Sequence, residues 1–193
     1  MDRRTAFQSA LALLAAGAAA PRAHAAAGPH AAYFPNVPLV THQGTKVRFY
    51  DDLLKGRTVL VNFFYIHCLD GQCPLQTANL KRVHALLGDR VGREVFMYSV
   101  TLQPEVDRPA LLRQYVEAFG IGPGWQFLTG RPADVERLRR KLGFADPDPK
   151  VDRDKSNHTG VVRYGNEAKS LWAALPALAD PEHIVRAVSW VAT

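Results

Sequence analysis

Thr58-Val59-Leu60-Val61-Asn62-Phe63-Phe64-Tyr65-Ile66-His67-Cys68-Leu69-Asp70-Gly71-Gln72-Cys73-Pro74 is the stretch that decides how this chain is read. Its first nine residues are β-branched, aromatic or apolar on both faces, as expected of a central strand buried on two sides. The run ends directly at His67-Cys68. Pro74 then precedes Leu75, Leu80, Val83, Leu86 and Leu87, whose spacing predicts a helix with proline in its first turn. Cys73 therefore falls at a helix N-terminus, where unpaired N–H groups and the positive end of the dipole lower a thiol pKa. Five positions along a helix turn a side chain by about 140°, so Cys68 and Cys73 do not share a helix face. Cys68 belongs to the preceding loop, folded back by Leu69–Gln72 with Gly71 at an unusual backbone angle.

Outward from this junction the pattern stays regular. Lys46–Phe49 alternates like a short strand, and Asp51–Leu54 suits one helical turn. Beyond the cysteines come a strand at Glu94–Thr101, a helix at Pro109–Phe119, a short strand at Trp125–Leu128 and a helix at Pro132–Leu142. A polar loop at Ala145–Lys155 leads to a strand at Thr159–Tyr164, a turn at Gly165-Asn166, a strand near Ala168–Trp172 and a closing helix from Asp180. This order predicts an α/β chain: a thioredoxin-like fold with a central mixed sheet flanked by helices and carrying an inserted helix and strand.

At 193 residues, with 47% hydrophobic and 22% charged content, one domain can build its core without disulfide staples, which leaves the two cysteines free for chemistry. Residues 1–25 follow the order of an export signal: Arg3-Arg4, an apolar run from Ala10 to Ala20, then Ala23-His24-Ala25 as a cleavage site. The paired arginines resemble a twin-arginine signal, with Phe7 one place late. The apolar run is too short for a membrane span, which needs about 20 residues. A soluble periplasmic or otherwise exported protein is expected, with an extended segment over 26–45 and the domain over 46–193. The net charge of +6 falls to +4 without the leader. What remains is spread over helices, as at Arg137, Arg139, Arg140 and Lys141, mixed with Asp134 and Glu136. That reads as a solvated face and argues against a nucleic-acid partner.

A structural disulfide is the bland reading of Cys68 and Cys73, yet a bridge closing only about six residues removes little unfolded-state entropy. Redox exchange and soft-metal binding remain.

Five stretches stand out together: Tyr65-Ile66-His67-Cys68, Cys73-Pro74, Tyr98-Ser99-Val100 followed by Pro104-Glu105-Val106-Asp107, Phe127-Leu128-Thr129-Gly130, and Asn157-His158. In these the chain resembles the SCO/SenC family of copper proteins of cytochrome oxidase assembly. The resemblance implies that Cys68, Cys73 and His158 bind copper at one edge of the domain. Two thiolates and an imidazole suit Cu(I) and accommodate Cu(II), and zinc is chemically possible. His67 is read as a shaping residue, since neighbours at a strand end point to opposite faces. The family usually has three residues between its cysteines and this chain has four. Gln103 stands where the family carries an aspartate, and once the leader is removed Met97 is the last methionine.

The expected function is a non-enzymatic metallochaperone handing copper to an apoprotein, an oxidase subunit by resemblance. The alternative is a thiol-disulfide oxidoreductase in which Cys68 and Cys73 keep partner cysteines reduced and are themselves served by a thiol-disulfide reductant. A peroxidase would make the pair incidental; a redox- or copper-sensing module is a third class.

Overall fold

The computed structural model describes residues 28–158 and 160–193. The expected export signal over residues 1–25 lies outside the described residues.

A seven-stranded mixed sheet runs β2-β1-β5-β4-β3-β6-β7. Its middle is parallel, β3 (Thr58–Phe64) beside β4 (Val95–Thr101) and β4 beside β5 (Trp125–Gly130). The flanks are antiparallel: β6 (Val161–Asn166) pairs β3 and β7 (Leu171–Pro176), while β1 (Pro38–Thr41) joins β5 to β2 (Lys46–Arg48). Every residue of β3 is buried, which is why its sequence shows no alternation.

Successive side chains of β3 serve opposite layers. Phe64 meets Tyr115 of α2 (Pro109–Phe119) and Phe127, while Phe63 meets Phe144 just beyond α3 (Pro132–Lys141). Each such aromatic contributes roughly 1.5–3 kcal/mol by leaving water. The long helix α1 (Gln72–Leu87) lies beside α2, its Thr77 hydroxyl 2.8 Å from that of Tyr115, and Asn79 ties it to Ala177 and Ala179 ahead of the last helix. After α3 the chain makes only a four-residue helix, α4 (Pro149–Asp152), and a 3₁₀ turn, Lys155–His158, before β6; α5 (Pro181–Ala192), capped by Asp180, closes the chain.

Four expectations change. Part of the extended segment expected over 26–45 is strand β1, within the sheet. The dipeptide Gly165-Asn166 is not a turn: both residues are paired in β6, and the reversal falls at Glu167–Ser170, with Ser170 at φ 59°. Glycine is needed at 165 because a side chain there would run into the Trp172 ring, and Asn166 spends its amide on the Thr58 hydroxyl at 3.0 Å. Arg139 is no part of a solvated face, being 4% exposed and ion-paired with Asp152. The predicted helical turn at Asp51–Leu54 is a wider π-turn over Phe49–Leu54, closed by Lys55 N–H donating to Tyr50 O at 2.8 Å.

Candidate metal and thiol site

The site forms where β3 runs out. The pairing with β4 ends as Leu102 N–H donates to Phe64 O at 2.8 Å. Two residues on, Ile66 N–H is taken instead by the Asp107 carboxylate at 3.2 Å, so the chain leaves the sheet at a fixed point. Asp107 is fully buried and also accepts the Thr101 hydroxyl. Burial pushes its carboxyl above the ordinary value, opposed by those two bonds and by the charges of His67 and Lys155. Its other oxygen has no hydrogen-bond partner among the described residues.

The loop that follows is a compact turn. Gly71 N–H donates to Cys68 O at 3.2 Å, and Gly71 adopts φ 72°, the left-handed angle expected of it. Asp70 accepts Gln72 N–H at 3.0 Å, serving one of the orphan amides at the start of α1, and accepts the Cys68 thiol at 2.8 Å. These two bonds hold the Asp70 carboxyl below its usual range.

The two thiols differ in a way the sequence did not reveal. The backbone N–H of Cys73 donates to the Cys68 sulfur at 3.2 Å, so the sulfur resting on the helix N-terminus is that of Cys68. Cys73 turns inward and is fully buried. Burial first, and then its hydrogen bond with Cys68, push the Cys73 thiol well above the ordinary thiol range, against a smaller opposing pull from the Tyr65 amide. The expectation that the helix would lower this thiol is thereby reversed: desolvation outweighs the dipole. The cysteines are not bridged. Tyr65, 7% exposed, has its phenol pushed up by burial and by a hydrogen bond with Cys68, and burial lifts Tyr115 to about 12.

His158 closes the turn Lys155–His158, and its side chain lies outside the described part of the structure. The turn is fastened to the end of β4 by Lys155 Nζ, which donates to Leu102 O at 2.7 Å. Among the described residues no three His, Cys, Asp or Glu side chains form a group able to hold a metal; what is described of the expected ligand set is the cysteine pair. His67 is exposed beside it. Leu69, between the cysteines, is 98% exposed, and Val106, next in sequence to Asp107, is 49% exposed; no periodicity announces either. Asp107 entered the sequence reading as part of a motif; its grip on Ile66 is visible only once β3 and β4 are paired.

The family model SCO1/SenC matches residues 26–193. The chain belongs to the SCO1/SenC family. Protein sco1 of Schizosaccharomyces pombe is 28% identical over 126 residues, which are 63% of this chain and 46% of that protein, so the match spans about half the relative's length. Solved SCO structures share the fold. ScoI of Bradyrhizobium japonicum with copper bound superposes with TM-score 0.62 at 23% identity, covering 81% of this chain and 99% of that one. BsSco, a member of the Sco family of cytochrome c oxidase assembly proteins studied for its disulfide switch, gives TM-score 0.65 at 21% identity, covering 83% and 95%. Both likenesses support the thioredoxin-like layout of the SCO1/SenC domain.

Proposed function

We propose that this protein is a copper metallochaperone, holding the ion on the sulfurs of Cys68 and Cys73 with His158 as third ligand and passing it to a partner. The observation that carries this reading is the adjacency of two unbridged thiols at one helix N-terminus, the Cys68 sulfur accepting the Cys73 amide at 3.2 Å. Two neighbouring sulfurs, one partly exposed and one buried, form a soft donor set that favours Cu(I), and an added imidazole lets the same site take Cu(II). Loading requires both thiols to give up their protons, so copper binding releases protons, and the buried Cys73 thiol is the harder of the two to reach. Unloading is ligand exchange: a partner thiolate enters on the exposed side, beside Cys68 and Leu69, and displaces Cys68 first.

Copper-bound and oxidase-assembly relatives support assigning the recipient to a cytochrome c oxidase copper site. Arg3-Arg4, the apolar run and Ala23-His24-Ala25 support export, with a soluble domain after cleavage near residue 25. Among the described residues no helix is long and apolar enough to cross a membrane.

The burial contrast within the pair favours thiol-disulfide exchange as a second reading. Partly exposed Cys68, as thiolate, would attack a partner disulfide and release one partner thiolate. Cys73 would then attack the Cys68 sulfur, releasing the second partner thiol and leaving a Cys68–Cys73 disulfide for an external dithiol to reduce.

Anaerobic Cu(I) titration of the reduced protein against a competing chelator separates the two. One tightly held ion per chain, lost in Cys68→Ala and weakened in His158→Ala, supports the carrier. Failure to compete for copper overturns it and leaves exchange.

A further inference from the structure

We propose that Arg139 and Asp152 are a positioning pair that sets the His158-bearing turn against the cysteines; this rests on the reading of His158 as a copper ligand. Arg139 is buried on α3, and its two terminal nitrogens each donate to a different Asp152 oxygen at 2.8 Å. The same guanidinium donates to Phe144 O at 2.8 Å and to both oxygens of Glu136 at 2.8 and 2.9 Å. Asp152, its side chain 8% exposed, further accepts Asp146 N–H at 2.8 Å and Arg140 at 3.0 Å. The Arg139 bonds hold the Asp152 carboxyl far below its usual range, as expected of a clamp closed at neutral pH.

A buried, two-pronged pair of this kind is a poor source of stability and a good source of geometry, because the fork fixes both distance and orientation. Geometry is what this segment lacks. Between Phe144 and β6 the described chain has α4 and one 3₁₀ turn; Val151 is 38% exposed and Pro147 and Pro149 are exposed as well, so packing does little to place it. Polar contacts place it instead. From Asp152 the path continues through Asn157, whose side chain donates to Val151 O at 3.2 Å, and through Lys155, whose amine donates to Leu102 O. Leu102 in turn bonds Phe64 at the strand end that delivers Cys68. Leu102, Arg139, Asp152 and Lys155 line one cleft of about 430 Å³, so clamp and tether share one recess. A ligand on a loop this short of core is useful only if something rigid holds the loop, and α3 supplies that through Arg139.

The test is a double-mutant cycle on the full chain, read by Cu(I) competition and by the electron-paramagnetic and visible absorption spectra of the Cu(II) form. Asp152→Asn, close in shape, should weaken copper by about 10–100-fold and diminish the imidazole nitrogen signature while the thiolate bands stay. In a His158→Ala background the same substitution should change affinity by no more than about twofold. Arg139→Lys, which keeps the charge and loses the fork, should follow Asp152→Asn. Asp152→Asn that leaves affinity and nitrogen signature unchanged, while His158→Ala weakens binding, overturns the clamp and leaves the ligand reading standing. Equal loss in both backgrounds also overturns it, because a merely structural role is additive. His158→Ala without effect fails the ligand reading itself, and the clamp falls with it.

Discussion

The backbone N–H of Cys73 is aimed at the sulfur of Cys68, 3.2 Å away, while the sulfur of Cys73 itself is sealed in the core. One residue thus lends the helix terminus to its partner and keeps none of it.

This asymmetry predicts unequal reactivity. In the reduced, metal-free protein, iodoacetamide should modify Cys68 faster than Cys73 by at least about tenfold, because Cys73 has neither access nor thiolate character. Peptide mass spectrometry over a time course reads the two rates separately. Equal rates, or faster labelling at Cys73, would contradict the geometry.

Asp107 sets where β3 ends, so it should matter to stability as much as to the site. Asp107→Ala strands the Ile66 amide and the Thr101 hydroxyl in a buried place, at a cost of about 1–3 kcal/mol. Urea unfolding should show a lower midpoint, and amide exchange at Ile66 should accelerate ahead of exchange in the middle of β3. A midpoint unchanged by the substitution would show that the carboxylate does not pin the loop.

How much of this was legible beforehand varies with the kind of physics involved. The strand, the cysteine loop and α1 were readable because their signals are local: a fully apolar run, a proline in a first helical turn, and a glycine where φ must be 72°. Strand β1 was missed because Pro38–Thr41 is four residues long and takes its identity from β5 and β2, which lie far away in sequence. Gly165-Asn166 misled because a close approach of Trp172 selects the same residue a turn would. Arg139 misled for a related reason: its neighbours Arg137, Arg140 and Lys141 look like a wet helix face, and only the fold brings Asp152 onto it. Of the site itself, the ligand types were readable, while the opposite surroundings of the two thiols depend on which way Cys73 turns.

His42 gives a pH dependence with a definite sign. Its ring is 7% exposed, and Nδ1 accepts the Phe127 amide at 3.3 Å, so the native state holds it neutral. Burial lowers its pKa from the ordinary value of 6.5, aided by the charge of Arg113. The unfolded chain therefore binds the proton more readily, and the contribution of His42 is complete above its unfolded pKa and lost as pH falls through the lower, folded one. Thermal midpoints should drop between about pH 7.5 and 5.5, and His42→Gln, which offers Phe127 a neutral acceptor, should flatten that slope. An identical slope in the variant would assign the acid sensitivity elsewhere.

The hairpin turn that the sequence misplaced carries a consequence of its own. Glu167 stands at its start, 1% exposed, and gathers the Tyr50 hydroxyl at 2.6 Å, the Gly56 amide at 2.8 Å and the His30 amide at 3.2 Å. Burial pushes its carboxyl up, yet these bonds outweigh that and leave it below the ordinary value, while the Tyr50 phenol is pushed up to about 12. One carboxylate therefore ties the segment before β1, the π-turn and the β6–β7 reversal together. Glu167→Ala should cost about 1–3 kcal/mol, and hydrogen exchange should quicken at His30 and Gly56 while the amides of β3 keep their protection. Glu167→Gln should retain part of the stability, since one amide oxygen still accepts while the amide nitrogen faces donors it cannot serve. If exchange at His30 stays slow in Glu167→Ala, the N-terminal segment is held by the packing of Phe34 against Trp172, 4.9 Å between rings, and the carboxylate is dispensable.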